Sequence, residues 1–295
     1  MNLRRIAGAI LLMMAIVGNG ATTQAQQFGE LLENLDAPWL PRSTSQADAG
    51  QADAEDERLE TDRDSFTPAT TTVKPGRTLV EAAYSYIENR NTANSNSFPE
   101  MVTRVGLTKR TELRLGWNFE SGGGGSVSNG DAGGDLEQAG SRMESRLLYG
   151  LKFSVTEQQD WLPKSALIVQ ATTPTSGPDG SSDPQVGYVL GWKLLNNWQL
   201  DSSIRYVKTR EEGDNFNQWA PSIVLKIPVT DRWNIHGEYF GIFTNGKADN
   251  SNAQYFSPGI HYLVTPDCEV GVRVGWGLNQ DAASFFTNVG FGYQF

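Results

Sequence analysis

From Thr78 onward the chain alternates apolar and polar residues with a period of two. Thr78, Val80, Ala82, Tyr84 and Tyr86 interleave with Leu79, Glu81, Ala83 and Ser85, and Leu113, Leu115, Trp117 and Phe119 with Glu112, Arg114, Gly116 and Asn118. The same rhythm runs through Leu147–Val155 and is cleanest in Val270–Trp276 and Phe285–Phe295. Neighbouring side chains of a strand point to opposite faces, so each segment has one apolar and one polar face. Repeated segments of about ten residues with this period are the mark of a membrane-spanning β-barrel. The pattern predicts an all-β chain of about twelve strands, near 78–88, 98–107, 111–120, 145–155, 165–172, 184–194, 198–208, 217–227, 233–244, 254–264, 268–278 and 284–295. An even number returns both ends of the barrel to the periplasmic side.

The connections carry the same message. Thr108–Arg110, Leu195–Asn197, Pro228–Arg232 and Thr265–Asp267 are tight, whereas Asn89–Ser97, Pro174–Asp183, Asn245–Asn252 and the Gly-rich Ser121–Glu144 are longer and polar. Short turns on one rim and long loops on the other are what outer-membrane barrels have. Trp161, Trp198 and Trp233 fall at the short turns, and Phe119, Tyr206, Trp219, Phe243 and Tyr255 near the long loops. Two aromatic bands at these levels fit the girdles of a barrel wall. A soluble β-sandwich also alternates, but it turns its apolar face to a core. Here the polar face carries glycines and charges of both signs, which suits a crowded lumen.

The first residues change the compartment. Arg4 and Arg5 precede an apolar run from Ile6 to Val17, and small and polar residues follow to Ala25. That order predicts a cleavable secretory signal over 1–25, since the run is too short to span a bilayer as a helix. Residues 26–77 then read as a periplasmic N-terminal segment and linker, partly disordered because Pro41–Asp64 holds almost no large apolar side chains. The barrel itself is assigned to 78–295 and to the outer membrane. A net charge of −10 argues against nucleic acid as a partner, and the single Cys268 offers neither an internal disulfide nor a metal cluster. No nucleophile elbow, zinc-protease helix or phosphate loop occurs, so no catalytic residue, cofactor or metal site is assigned and no enzymatic activity is expected.

Two short motifs add a resemblance. The C-terminal Gly290-Phe291-Gly292-Tyr293-Gln294-Phe295 resembles the last strand of bacterial outer-membrane barrels. The resemblance implies that Tyr293 and Phe295 are the signal read by the barrel assembly machinery. The segment Thr61-Asp62-Arg63-Asp64-Ser65-Phe66-Thr67-Pro68 resembles the head motif of a family named for the meta pathway of phenol degradation, outer-membrane transporter-like proteins in which it precedes the first strand. That resemblance covers 61–295 and implies a transporter, with outer-membrane lipids and a small solute as partners.

On the inferred lumen face lie Arg104, Arg114, Arg146, Lys152, Lys193, Arg205, Lys226 and Arg273, against Glu81, Glu112, Glu120, Asp201, Glu238 and Glu269. Eight basic to six acidic positions predict no strong ion selectivity. Such charges either neutralise one another across strands or form a polar track for a solute. The expected function is an outer-membrane channel or transporter passing small solutes, apolar or aromatic ones among them, through a narrow charged lumen. The alternative is a structural or partner-binding barrel with a plugged lumen. The head motif raises that question directly: it either folds into the lumen as a constriction, straps the outside of the barrel, or is linker. His236 and His261 fall on the lumen face of adjacent strands near Glu238 and Glu269. They read either as a hydrogen-bonded pair fixing the wall or as an acid- or metal-responsive site.

Overall fold

The computed structural model describes residues 58–63, 65–123, 142–177, 182–211, 214–247 and 250–295. The signal segment, the linker as far as residue 57, and Asp64 of the head motif lie outside the described residues. The strands are β1 (Thr78–Glu88), β2 (Ser95–Gly106), β3 (Thr111–Gly122), β4 (Arg142–Thr156), β5 (Lys164–Ser176), β6 (Asp183–Lys193), β7 (Gln199–Glu211), β8 (Asp214–Pro228), β9 (Trp233–Asn245), β10 (Asn252–Thr265), β11 (Cys268–Gly277) and β12 (Phe285–Gln294). Each pairs antiparallel with its chain neighbours, and β12 returns to β1, so the sheet is a closed twelve-stranded barrel. Closure leaves no sheet edge to satisfy, which the interior of a membrane demands. At the seam Leu79 faces Gln294 and Glu88 faces Phe285. Its end is sealed by reciprocal bonds at 2.9 Å, Thr78 N–H to the Phe295 carbonyl and Phe295 N–H to the Thr78 carbonyl.

The turns follow from their residues. Between β6 and β7 the chain reverses through Asn196 and Asn197, at φ 61° and 59°; asparagine tolerates this left-handed region better than most side chains. β10 and β11 are joined by Pro266 and Asp267 alone, with Thr265 paired to Cys268. The strands extend a few residues beyond the predicted spans at several long-loop ends, β5 most of all.

Burial is inverted relative to a water-soluble fold. Arg104, Arg114, Arg205, Arg273 and Lys152 are among the most completely buried side chains, while Leu115, Val169, Ile204, Ile223, Val272 and Val289 are exposed on the outer wall. An apolar outer surface around the whole circumference fits hydrocarbon, not water. The protein is an outer-membrane β-barrel. Trp161, Trp198, Trp219 and Trp233 lie exposed at the wall's margins. Tyr255 does not join that girdle: it is buried inside the barrel, its ring stacked on Phe240 at 4.8 Å. It shares the inward parity of Ser257 and His261 on β10, and the outward aromatic is its neighbour Phe256.

The wall makes one quantitative expectation. Val289 is 51% exposed on β12, flanked in register by Tyr84 and Val272. Val289→Arg should destabilise the folded barrel by about 2–4 kcal/mol if that position sits near the bilayer midplane. Urea titration in lipid vesicles reads the loss directly.

Candidate functional site

The barrel interior is filled, and what fills it is the head segment. Thr61, Asp62, Arg63, Ser65, Phe66, Thr67, Pro68, Ala69 and Thr70 are all buried. The segment is a loop with two tied legs: Thr71 Oγ1 donates to the Glu60 carboxylate at 2.7 Å, and Ala69 N–H to Asp62 Oδ1 at 3.0 Å. At its tip Ser65 Oγ donates to the Thr67 carbonyl at 2.7 Å.

Wall carboxylates hold the loop by its backbone. Glu81 of β1 accepts the consecutive N–H groups of Asp62 and Arg63 at 2.7 and 2.9 Å. Glu238 of β9 accepts those of Phe66 and Thr67 at 2.8 and 2.7 Å, and the Thr67 hydroxyl at 2.8 Å. Glu112 of β3 accepts Val73 N–H at 2.9 Å. A buried backbone N–H must find an acceptor, and an ionised one makes the stronger bond. The strands thus present carboxylates where the loop presents donors.

Side chains complete the seat. The Asp62 carboxylate is ion-paired with Arg114 of β3 and lies 3.4 Å from both Arg104 of β2 and Lys152 of β4. Burial pushes this carboxyl up, but Arg104, Lys152 and Arg114 together hold it well below the usual carboxylate range. The stability this adds is present above the ordinary carboxylate pKa and is lost only in stronger acid. Arg63 pairs with Glu100 at 3.8 Å, and Arg58 with Glu269 at 2.9 Å near the short-turn rim. Phe66 stacks on Phe240 with centroids 4.1 Å apart, and the Arg205 guanidinium lies 3.9 Å from its centroid. Phe66 belongs to an apolar cluster inside the barrel that includes Ile87, Phe240, Tyr255 and Phe286.

Glycines on the inner face make room. A Cβ at Gly292 would collide with Thr61, and one at Gly191 would sit 2.8 Å from Thr70. A cavity of about 200 Å³ remains beside the loop at the short-turn rim, bordered by Glu60, Thr70, Thr71, Lys164 and Lys193.

Most of the charged residues read from the alternation meet in this interior. Arg104, Glu112, Arg114, Lys152, Asp201, Arg205, Glu238, Glu269 and Arg273 are buried there. Arg146 and Lys226 are also buried, paired with Asp183 at 2.9 Å and Asp201 at 3.8 Å. Lys193 is solvent-exposed at the end of β6. Tyr293 and Phe295 lie on the outer wall, half exposed, with rings 6.0 Å apart.

The two histidines meet, though not by direct opposition. His236 is in register with Gly259 and His261 with Asn234. Their buried rings touch on the diagonal, Nδ1 of His236 hydrogen-bonded to Nε2 of His261 at 2.7 Å. Glu238 is turned to the loop and Glu269 to Arg58, and among the described residues no group of three or more metal-ligating side chains forms.

The head motif's interior position had one signal in sequence, its mixture of charges and Phe66 before the first strand. Glu100, Phe240 and Phe286, which complete the interior, share the inward parity of Arg104, Glu238 and Asn288, a signal present in the alternation. Asp183 falls just before the predicted sixth strand.

The family described as "Putative MetA-pathway of phenol degradation" matches residues 61–295. No curated protein matches the chain in sequence. Solved structures similar to it include OmpTdeltaL8, a loop-deletion mutant of an outer membrane protein of Vibrio cholerae, at 8% identity over 74% of this chain and 98% of that one (TM-score 0.43). The KdgM porin is similar at 10% identity over 74% and 99% (TM-score 0.44). The transport unit of the autotransporter AIDA-I from Escherichia coli is similar at 9% identity over 92% and 99% (TM-score 0.43).

Proposed function

The chain belongs to the phenol-degradation MetA-pathway family, and from that premise we propose that it is an outer-membrane channel for small solutes, held shut by its own head segment. The observation that carries this is the loop's seat. A segment of roughly a dozen residues occupies the lumen through contacts with the wall's inner side chains, without joining the β-ladder. A lumen that accommodates a folded-back loop has the cross-section for a small solute once the loop leaves. Twelve strands lie between barrels filled by side chains and open porins of 16–18 strands. Stacking of Phe66 between Phe240 and Arg205 supports aromatic solutes among those that pass, since the wall already offers a ring two faces.

Proteoliposome swelling tests the reading. Gly292→Leu places a side chain where Thr61 sits, so the variant should admit benzyl alcohol and glycerol faster than the wild type. No swelling above empty vesicles in a folded variant would overturn the channel. That outcome would favour a barrel plugged for good, a reading supported by the density of buried contacts around Asp62 and Glu238.

A further inference from the structure

Arg104 of β2 and Arg114 of β3 stand directly opposite each other in register. Like charges in that position repel, and here both are buried, the guanidinium-bearing side chains 1% and 2% exposed. Lys152, paired in register with Glu112 on the next strand, adds a third buried cation. Against these three the nearest wall groups supply two carboxylates. Glu112 binds Arg104 and Arg114 at 2.9 Å each, and Glu81 binds Arg104 at 3.1 Å. The third negative charge is Asp62, and it belongs to the loop. Three wall cations less two wall carboxylates leave one positive charge uncompensated whenever the loop withdraws.

We infer that Arg104, Arg114 and Lys152 form a carboxylate-binding site on the lumen wall, occupied in this structure by Asp62 and vacated for a solute's carboxylate when the channel opens. Its role in passage rests on the channel reading above; its existence does not. The donors are already arranged around a single carboxylate. Arg114 Nη1 bonds Oδ2, Lys152 Nζ reaches Oδ1 at 3.4 Å, and Arg104 Nη1 lies 3.4 Å from Oδ1. Arg114 is further aimed by Gln170, which accepts its Nε–H at 3.2 Å and is itself tied to Gln185 at 3.0 Å. Arg63, the loop's own cation, is directed to Glu100 of β2 at 3.8 Å. A buried cluster of this charge selects a small monocarboxylate over a cation or a neutral solute.

The test is chemical replacement of the Asp62 carboxylate. Asp62→Ala in the full-length mature protein leaves the cations in place and opens a space of carboxylate size. Titration with sodium formate in detergent micelles should give saturable one-to-one binding by calorimetry. In the wild type formate must displace Asp62, so its apparent affinity should be at least about tenfold weaker. Adding Arg114→Gln to Asp62→Ala should abolish the binding. Equal binding in the wild type and Asp62→Ala, no saturable heat, or binding that survives Arg114→Gln would each overturn the site. If Asp62→Ala folds poorly, formate should raise its refolding yield and the neutral isostere formamide should not; equal yields would overturn the site as well. A barrel that binds formate yet never conducts would sink the channel and leave the site standing. A conducting barrel whose Asp62→Ala variant ignores formate would do the reverse.

Discussion

Removing residues 26–70 should convert a barrel that is closed nearly all the time into one that opens steadily in planar bilayers. The deletion takes away the loop from Arg58 to Thr70 and with it the contacts to Glu81, Glu238, Arg114 and Phe240. Each 1.4 kcal/mol that favours the seated loop lowers the open population about tenfold, and buried charged contacts are worth several times that when one partner is lost. The open fraction should therefore rise by at least about a hundredfold. Strand-dependent heat-modifiability on gels confirms that the shortened chain still closes into a barrel. Unchanged conductance in a correctly folded deletion would remove the loop as the gate.

The second large effect is on stability. Arg104→Met should cost about 3–5 kcal/mol, because it strands Glu81, Glu112 and Asp62 without the guanidinium that all three face. Arg104 also donates to the Glu60 carbonyl at 3.2 Å and the Thr71 carbonyl at 2.9 Å, clasping both legs of the loop. Arg104→Lys keeps the charge but loses the planar fork, so it should fall between methionine and the wild type. Equilibrium unfolding in urea, followed by tryptophan emission, separates the three. A loss below about 1 kcal/mol for methionine would mean that the cluster holds itself together without Arg104.

The wall was legible in the sequence because alternation is a local property. Leu113, Leu115, Trp117 and Phe119 needed only their neighbours to declare a face, and the paired turns declared the rims. The interior was less so. Tyr255 falls close to a long loop, where a girdle aromatic is expected, although its parity with His261 points it inward. The diagonal meeting of His236 with His261 depends on the stagger of β9 against β10, which no single strand encodes. The excess of basic over acidic lumen positions closes with Glu100 and Asp183, which are buried on the inner face as well. Asp62 and Arg63 add one charge of each sign, and their partners lie thirty to ninety positions away in the chain. A loop's seat exists only after the barrel has closed around it.

The order of contacts along the loop also fixes how it responds to mechanical load. Starting from the chain's amino-terminal side, Arg58 grips Glu269 near the rim, Asp62 follows at the cation cluster, and Phe66 lies at the tip against Phe240. The return leg comes back through Ala69 and Thr71 to Val73 at Glu112. A tension applied below Arg58 therefore loads these attachments one after another, as in peeling, and never all at once, as in shear. Peeling needs little force over a long distance. A seat that resists thermal escape through the sum of its contacts would still yield to a weak pull from one side, while the same pull on the Val73 leg would be borne by β1 and the whole barrel wall.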